Sequence, residues 1–107
     1  MSESLLLAQV LLALGSRQDV TIWRNNTGRL PDPRIGGRWI SFGLKGSADV
    51  LGIIQGGRFL AIETKTPAGR LRPEQIAFRA MVERRGGLYV VARSVNDAVS
   101  AVDRAVA

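Results

Sequence analysis

Three charged residues with the potential for metal-dependent chemistry lie around one predicted β-hairpin. Two apolar runs, residues 50–54 and 59–62, are rich in β-branched and aromatic side chains and are separated by a turn with two consecutive glycines. Antiparallel pairing through that turn would bring Asp49, just before the first run, close to Glu63 and Lys65, which follow the second. We therefore predict that two carboxylates and an ammonium meet at one end of a sheet.

Charged groups at the margin of a buried strand need a partner, because removing them from water is costly. Carboxylate oxygens are the ligands that Mg²⁺ and Mn²⁺ prefer, and a divalent ion bound by Asp49 and Glu63 would suit phosphoryl chemistry. Lys65 would add a fixed positive donor beside them. A plain ion pair at a strand end accounts for the same residue types, so the spacing alone leaves both interpretations open.

The sequence around these residues resembles the VRR-NUC (virus-type replication-repair nuclease) domain of the PD-(D/E)XK superfamily. The resemblance is carried by residues 46–49, 63–65 and 69–75, and residues 24–28 also look like the family's. It extends from the first predicted helix to about Val91. Ala48 stands where the name of the superfamily has a proline, a position that is often replaced in this superfamily.

This resemblance implies a metal-dependent endonuclease that hydrolyses phosphodiester bonds of DNA with Mg²⁺ or Mn²⁺. Carried over to this sequence, it makes Asp49 and Glu63 metal ligands, and we expect the backbone carbonyl of Thr64 to assist them. It also makes Lys65 the catalytic lysine and Gln75 the glutamine that follows the main motif.

Glu3 has two interpretations of equal standing. It lies in the first turn of a predicted helix that Ser2 caps and whose apolar run covers residues 5–14, and the helix dipole favours a carboxylate there. Related nucleases place an acidic residue on their first helix, which would make Glu3 a third acid of the active site. The same helix is too short to cross a bilayer, and the chain has Glu3 where a signal peptide has basic residues. We therefore expect a cytoplasmic protein of a bacterial or phage-infected cell, without membrane attachment.

The composition excludes several other kinds of site. The chain has no cysteine and no histidine, which removes disulfides, the usual zinc sites and histidine-assisted nucleophiles. The pattern G-x-x-x-x-G-K-[ST] is absent as well, so nucleoside triphosphate hydrolysis is not expected.

The charge of the chain points to a polyanionic partner. The net charge is +6, and residues 17–93 contain 14 basic and 6 acidic residues. Most of the basic residues are arginine, whose planar guanidinium contacts phosphate through two hydrogen bonds. We expect DNA contacts above all from a basic loop over residues 29–37. The residues that we assign to DNA binding are Arg24, Asn26, Arg29, Arg34, Arg38, Lys45, Arg70 and Arg72.

The order of predicted elements is α-β-β-β-β-α-β-α in one domain over residues 1–107. Strands are predicted at residues 20–24, 38–42, 50–54, 59–65 and 88–92, and helices at 5–14, 73–85 and 95–106. This order predicts an α/β fold with a mixed sheet flanked by helices, in agreement with the restriction-endonuclease-like core that the resemblance implies.

The apolar surface of the first helix continues around its cylinder, which predicts a homodimer in so small a chain. A short chain offers little surface for reading bases, so DNA shape should dominate recognition. Stand-alone members of the resembled family are associated with junction resolution, and we therefore expect a branched substrate, first of all a four-way (Holliday) junction. The alternatives are a flap or duplex endonuclease that works with a separate helicase, and a non-catalytic DNA-binding module.

Overall fold

The computed structural model of the protein describes residues 2–107. Within this range the elements follow one another as α1 Glu3–Gly15, β1 Val20–Arg24, β2 Gly28–Pro31, β3 Trp39–Phe42, β4 Val50–Ile54, β5 Arg58–Thr64, α2 Pro73–Arg84, β6 Leu88–Ala92 and α3 Val95–Val106.

Four of the strands form a mixed sheet in the order β1-β4-β5-β6. Strand β4 pairs antiparallel with β1 and β5, whereas β5 pairs parallel with β6 through the crossover helix α2. The predicted α/β class, a mixed sheet flanked by helices, is therefore confirmed. The register of the central hairpin places Val50 opposite Ile62. Asp49 and Glu63, one residue further along each strand, consequently lie at the same level.

Alternation along the strands divides the core between the two faces of the sheet. Helices α1 and α3 cover one face, where Leu60 and Ile62 of β5 are fully buried. Helix α2 covers part of the other face, where Ala61 packs with Phe78 and Tyr89. Because both faces carry helices, the central strand β5 is buried along most of its length and ends at Glu63 and Thr64 in the interior.

Helix α1 buries one stripe of its apolar surface. Leu7 and Leu11 are only partly buried, and Leu5 and Leu12 are 50% and 78% exposed. The buried positions follow a spacing of four residues and are Leu6, Val10 and Leu14.

None of the helices within residues 2–107 combines the length and the apolar character that a bilayer-crossing segment needs.

The predicted order of elements lacked one strand. Residues 29–37 were predicted to form an exposed loop, but β2 occupies Gly28–Pro31 and pairs antiparallel with β3 in a separate two-stranded sheet. Glycine and proline are poor strand residues, which concealed this short element in the sequence. Its loop is closed by Asp32, whose buried carboxylate accepts hydrogen bonds from the backbone N–H and the guanidinium of Arg34.

The segment that leads into β4 is fixed by one glycine. Gly46 has a φ of +80°, in the left-handed region that favours glycine. A Cβ atom at this position would also overlap the backbone carbonyl of Glu74 at the start of α2. The close approach that glycine permits therefore brings the start of α2 next to the residues that precede Asp49.

Candidate active site

The end of the central hairpin holds Asp49 in a fixed orientation. One carboxylate oxygen of Asp49, Oδ2, accepts hydrogen bonds from the backbone N–H of Thr64 at 2.9 Å and from its hydroxyl at 2.8 Å. These bonds tie the residue before β4 to the end of β5. No hydrogen bond from residues 2–107 reaches the second oxygen, Oδ1. Asp49 thus retains an acceptor for a further partner.

Glu63 is held in a similar way, but in the interior. Its side chain is buried, and its Oε2 atom accepts a hydrogen bond of 2.9 Å from Nε2 of Gln75. The ammonium of Lys65 lies 3.7 Å from the same oxygen. The other oxygen, Oε1, is buried without a hydrogen-bond partner in the described part of the chain. A buried carboxylate oxygen in this state is costly unless a cation or a proton joins it.

The first turn of α2 determines which way the Gln75 amide faces. Its Oε1 atom accepts a hydrogen bond of 2.9 Å from the backbone N–H of Arg72, which can only donate. The amide nitrogen of Gln75 must therefore face Glu63. Gln75 belongs both to the N-terminal cap of α2 and to the site, and its side chain links the helix to the carboxylate.

Burial also changes the ionisation of Glu63. Removal from water raises the pKa of Glu63 from 4.5 to about 7, and the nearby charge of Asp49 adds to this rise. Lys65 acts in the opposite direction. The charge of Glu3 is close enough to raise the pKa of Glu63 slightly further. A group with this pKa is half protonated near neutral pH, and a bound cation would shift it to the ionised form.

Asp49 and Glu63 open onto a cleft of about 650 Å³. Three of the residues that we assigned to DNA binding, Arg29, Lys45 and Arg72, line the same cleft. The loop before Asp49 and the hairpin of β2 and β3 supply most of the remaining wall. A polyanion that enters the cleft would contact the positive side chains of Arg29, Lys45 and Arg72 close to the carboxylates.

The other predicted residues lie outside this cleft. Glu3 is exposed and lines a second cleft together with Lys65 and Thr66. Arg34 and Arg38 lie in the loop between β2 and β3, where both pair with Asp32. The remaining three are Arg24 at the end of β1, Asn26 in the segment after it, and Arg70, which lines a shallow depression before α2.

Asn25 is a residue of the site region to which we had assigned no role. Its side-chain amide donates hydrogen bonds to the hydroxyl of Ser47 at 2.7 Å and to the backbone carbonyl of Ala48 at 2.9 Å. Its backbone N–H donates to the carbonyl of Asp49 at 2.8 Å. Asn25 therefore positions the segment that carries Asp49. Two indications were present in the sequence: the likeness of residues 24–28 to the resembled family, and the Asn25-Asn26 pair, which is equally typical of an ordinary turn.

The donor set fits a hard divalent cation. Among residues 2–107 no group of three or more acidic side chains converges on one point, so Asp49 and Glu63 would be the only carboxylate ligands. Mg²⁺ is commonly bound by one or two carboxylates, with water and substrate phosphate completing its coordination. Oε1 of Glu63 and Oδ1 of Asp49, which accept no hydrogen bond from residues 2–107, are suitable oxygen ligands for such an ion.

A mixed sheet flanked by helices, with two carboxylates at one end, defines a nuclease-like core. The sequence matches the VRR-NUC domain family over residues 8–96, which is most of the 107-residue chain. The chain therefore belongs to the VRR-NUC family, and its domain is of the nuclease type that acts on DNA. A search of curated proteins found no match.

The raised pKa of Glu63 predicts how stability depends on pH in the absence of divalent ions. Between the unfolded value of 4.5 and the folded value of about 7, the folded protein binds more protons than the unfolded chain. The free energy of unfolding should therefore decrease as the pH rises from about 5 to 8. Urea unfolding in chelator at both ends of this range measures the effect, and Glu63→Gln should reduce it.

The aspartates with shifted pKa values, Asp19 and Asp32, do not contribute to the change in stability between pH 5 and 8. Hydrogen bonds from Arg17 and Arg34 lower the pKa of Asp19 and Asp32, respectively, from the ordinary value of 3.8. Their contribution to stability is lost only as the pH falls below about 4. A pH dependence of equal size in the wild type and in Glu63→Gln would contradict the assignment to Glu63.

Proposed function

We propose that this protein is a Mg²⁺- or Mn²⁺-dependent endonuclease that hydrolyses phosphodiester bonds in branched DNA. The observation that carries the proposal is the buried, half-partnered carboxylate of Glu63 beside Asp49, at the floor of a cleft lined by basic side chains. The contacts of Glu63 with Lys65 and Gln75 involve only Oε2, so within residues 2–107 they leave Oε1 without a partner. Membership of the VRR-NUC family agrees with this chemistry.

Each residue of the proposed active site has a different role. Asp49 and Glu63 would hold the cation, with the backbone carbonyl of Thr64 as an additional oxygen ligand. A bound divalent ion would polarise the phosphate and lower the pKa of an attacking water. Lys65, which is buried and whose ammonium lies 3.7 Å from Glu63, would donate to a phosphate oxygen or orient that water. Gln75 keeps Glu63 in place and so acts as a positioning residue.

The basic side chains of the cleft would hold the DNA backbone. Arg29, Lys45 and Arg72 come from three separate segments of the chain and line one cleft, which suits contact with several phosphates. Such contacts carry little sequence information, so the path of the backbone would decide which DNA fits. This supports a substrate recognised by shape, and a four-way junction is the branched DNA that we favour.

A homodimer would complete this arrangement, because a junction with twofold symmetry suits an enzyme with two identical sites. The exposed leucines Leu5 and Leu12 of α1 lie two turns apart on one side of the helix, which supports pairing through this surface. The 107 residues contain no G-x-x-x-x-G-K-[ST] pattern, and we propose that a separate helicase would supply any DNA unwinding. We propose the cytoplasm of a bacterial or phage-infected cell as the location.

Substitution of the site residues should abolish cleavage without unfolding the protein. Asp49→Asn, Glu63→Gln and Lys65→Ala should each reduce the cleavage rate by at least about 100-fold, because each removes a group that acts on the same phosphate. Their losses should not add in double variants. Single-turnover cleavage with Mn²⁺ measures the effect, and thermal unfolding verifies the fold.

The matched control for these substitutions is Glu83→Gln, because Glu83 is an exposed acidic residue of α2 that lies two turns along the helix from Gln75. The cleavage rate of this variant should equal that of the wild type. If Glu63→Gln cut DNA at the wild-type rate at saturating metal, the assignment of Glu63 would be wrong. If the wild type bound DNA without ever cutting it, the protein would be a DNA-binding module.

The homodimer is tested by Leu12→Glu, which places a charge on the most exposed leucine of α1. Sedimentation should show a dimer for the wild type at tens of micromolar, roughly the range where a weak pair forms, and a monomer for the variant. Ile53→Glu is the control, because Ile53 is an exposed apolar residue on a different surface, the face of β4. If the Ile53 variant were monomeric and the Leu12 variant dimeric, the dimer interface would lie on the sheet and not on α1.

Substrate preference is tested with a panel of labelled DNAs that differ only in structure. An immobile four-way junction should be cut symmetrically and faster than flap, single-stranded or linear duplex DNA in the presence of Mn²⁺. Binding should weaken by roughly a thousandfold from about 50 to 200 mM salt if some six phosphates are contacted. Faster cleavage of a linear duplex of one sequence would refute the preference for branches and leave the nuclease activity in place.

A further inference from the structure

The hairpin of β2 and β3 has one face with an unusual composition. Side chains along the two strands point alternately to its two faces, and Leu30, Ile40 and Phe42 form the apolar one. The register places Arg29 opposite Ser41 and Pro31 opposite Trp39, so these side chains share one face. The guanidinium of Arg29 lies over the Trp39 ring, 5.9 Å from its centre. We refer to Arg29, Ser41 and Trp39 as the Arg-Trp face.

The tryptophan of this face is not part of the core. Trp39 is 57% exposed, and within residues 2–107 its hairpin forms a two-stranded sheet separate from the main sheet. Exposed aromatic rings next to guanidinium groups are a common means of binding unpaired nucleotides, because every base has a flat face that stacks.

The Arg-Trp face is continuous with the candidate active site. Arg29 and Ser41 line the same cleft as Asp49 and Glu63, and Arg29 also covers Trp39. A DNA strand whose phosphate lies at the carboxylates would therefore pass Arg29 and reach the indole. The loop beyond carries Arg34 and Arg38, which Asp32 holds in place. Two arginines share one aspartate, so this loop keeps a net positive charge that would attract the same DNA strand.

We propose that the Arg-Trp face binds an unstacked base of the DNA, with the indole of Trp39 as the stacking platform and Arg29 on the neighbouring phosphate. Branched DNA and single-stranded ends offer such bases, whereas a continuous duplex keeps its bases stacked inside. The hairpin would thus supply the preference for branched DNA that the carboxylate site lacks. This inference rests on the proposed nuclease function and adds the part of the substrate that the hairpin recognises.

The proposal can be tested by separating bases from phosphates. Binding to the full chain is measured in chelator, without cleavage, by anisotropy of two labelled oligonucleotides: a short single strand of thymidines and an abasic strand with the same number of phosphates. Trp39→Ala should weaken binding of the thymidine strand about tenfold, the loss expected for one stacked base. Binding of the abasic strand should not change, and Trp39→Phe should recover most of the loss.

A second readout reports on the ring itself. The chain contains two tryptophans, Trp23 and Trp39, so Trp23→Phe leaves Trp39 as the single indole emitter. The thymidine strand should quench its fluorescence, and the abasic strand should not. Trp23→Ala is the matched control for binding, because Trp23 is 44% exposed but lies on β1, outside the cleft lining. It should bind the thymidine strand as tightly as the wild type.

The outcomes distinguish this inference from the function on which it rests. Equal loss for both strands in Trp39→Ala, or no loss for either, would overturn base stacking while cleavage by the wild type upheld the nuclease. A change from dimer to monomer in Trp39→Ala would assign the Arg-Trp face to contact between copies and overturn the proposal. A wild type that bound none of the DNAs in chelator and cut none of them with Mn²⁺ would overturn both.

Discussion

The site depends on keeping one carboxylate in the interior of the protein. Glu63 lies at the end of the central strand, where burial raises its pKa to about 7, and the charge of Asp49 works in the same direction. Gln75 and Lys65 both approach Oε2, and among residues 2–107 no hydrogen-bond partner reaches Oε1. Folding alone therefore does not satisfy Glu63. A divalent cation would, and its binding energy would then stabilise the folded state.

Several features far apart in the sequence serve this one constraint. Asn25 fixes the residues before Asp49, and Thr64 orients the Asp49 carboxylate through two hydrogen bonds. Gly46 allows that segment to approach the start of α2, where Gln75 reaches Glu63. Each contact orients a side chain through a backbone group or a second side chain, which keeps the two carboxylates in place before any ligand arrives.

Local patterns in the sequence predicted the central part of the fold well. The turn with two glycines fixed the register of β4 and β5, and the register is enough to bring Asp49 level with Glu63. The contact of Gln75 with Glu63 joins a helix to a strand, so no local pattern predicts it, and only the resemblance singled out Gln75. Strand β2 was missed because it is four residues long, begins with glycine and ends with proline. The bonds made by Asn25 likewise depend on a segment more than twenty residues away.

The structure separates the groups suited to chemistry from those suited to recognition. Asp49 and Glu63 belong to the main sheet and are oriented by its hydrogen bonds, whereas Arg29 and Trp39 belong to a hairpin with its own pairing. The cleft brings the two parts together, because Arg29 lines it together with Asp49 and Glu63. The hairpin surface can therefore change in sequence without disturbing the carboxylates, because no hydrogen bond of the carboxylate pair comes from β2 or β3 within the described chain. In a domain of 107 residues, this division would allow one carboxylate-bearing core to be combined with different hairpin surfaces.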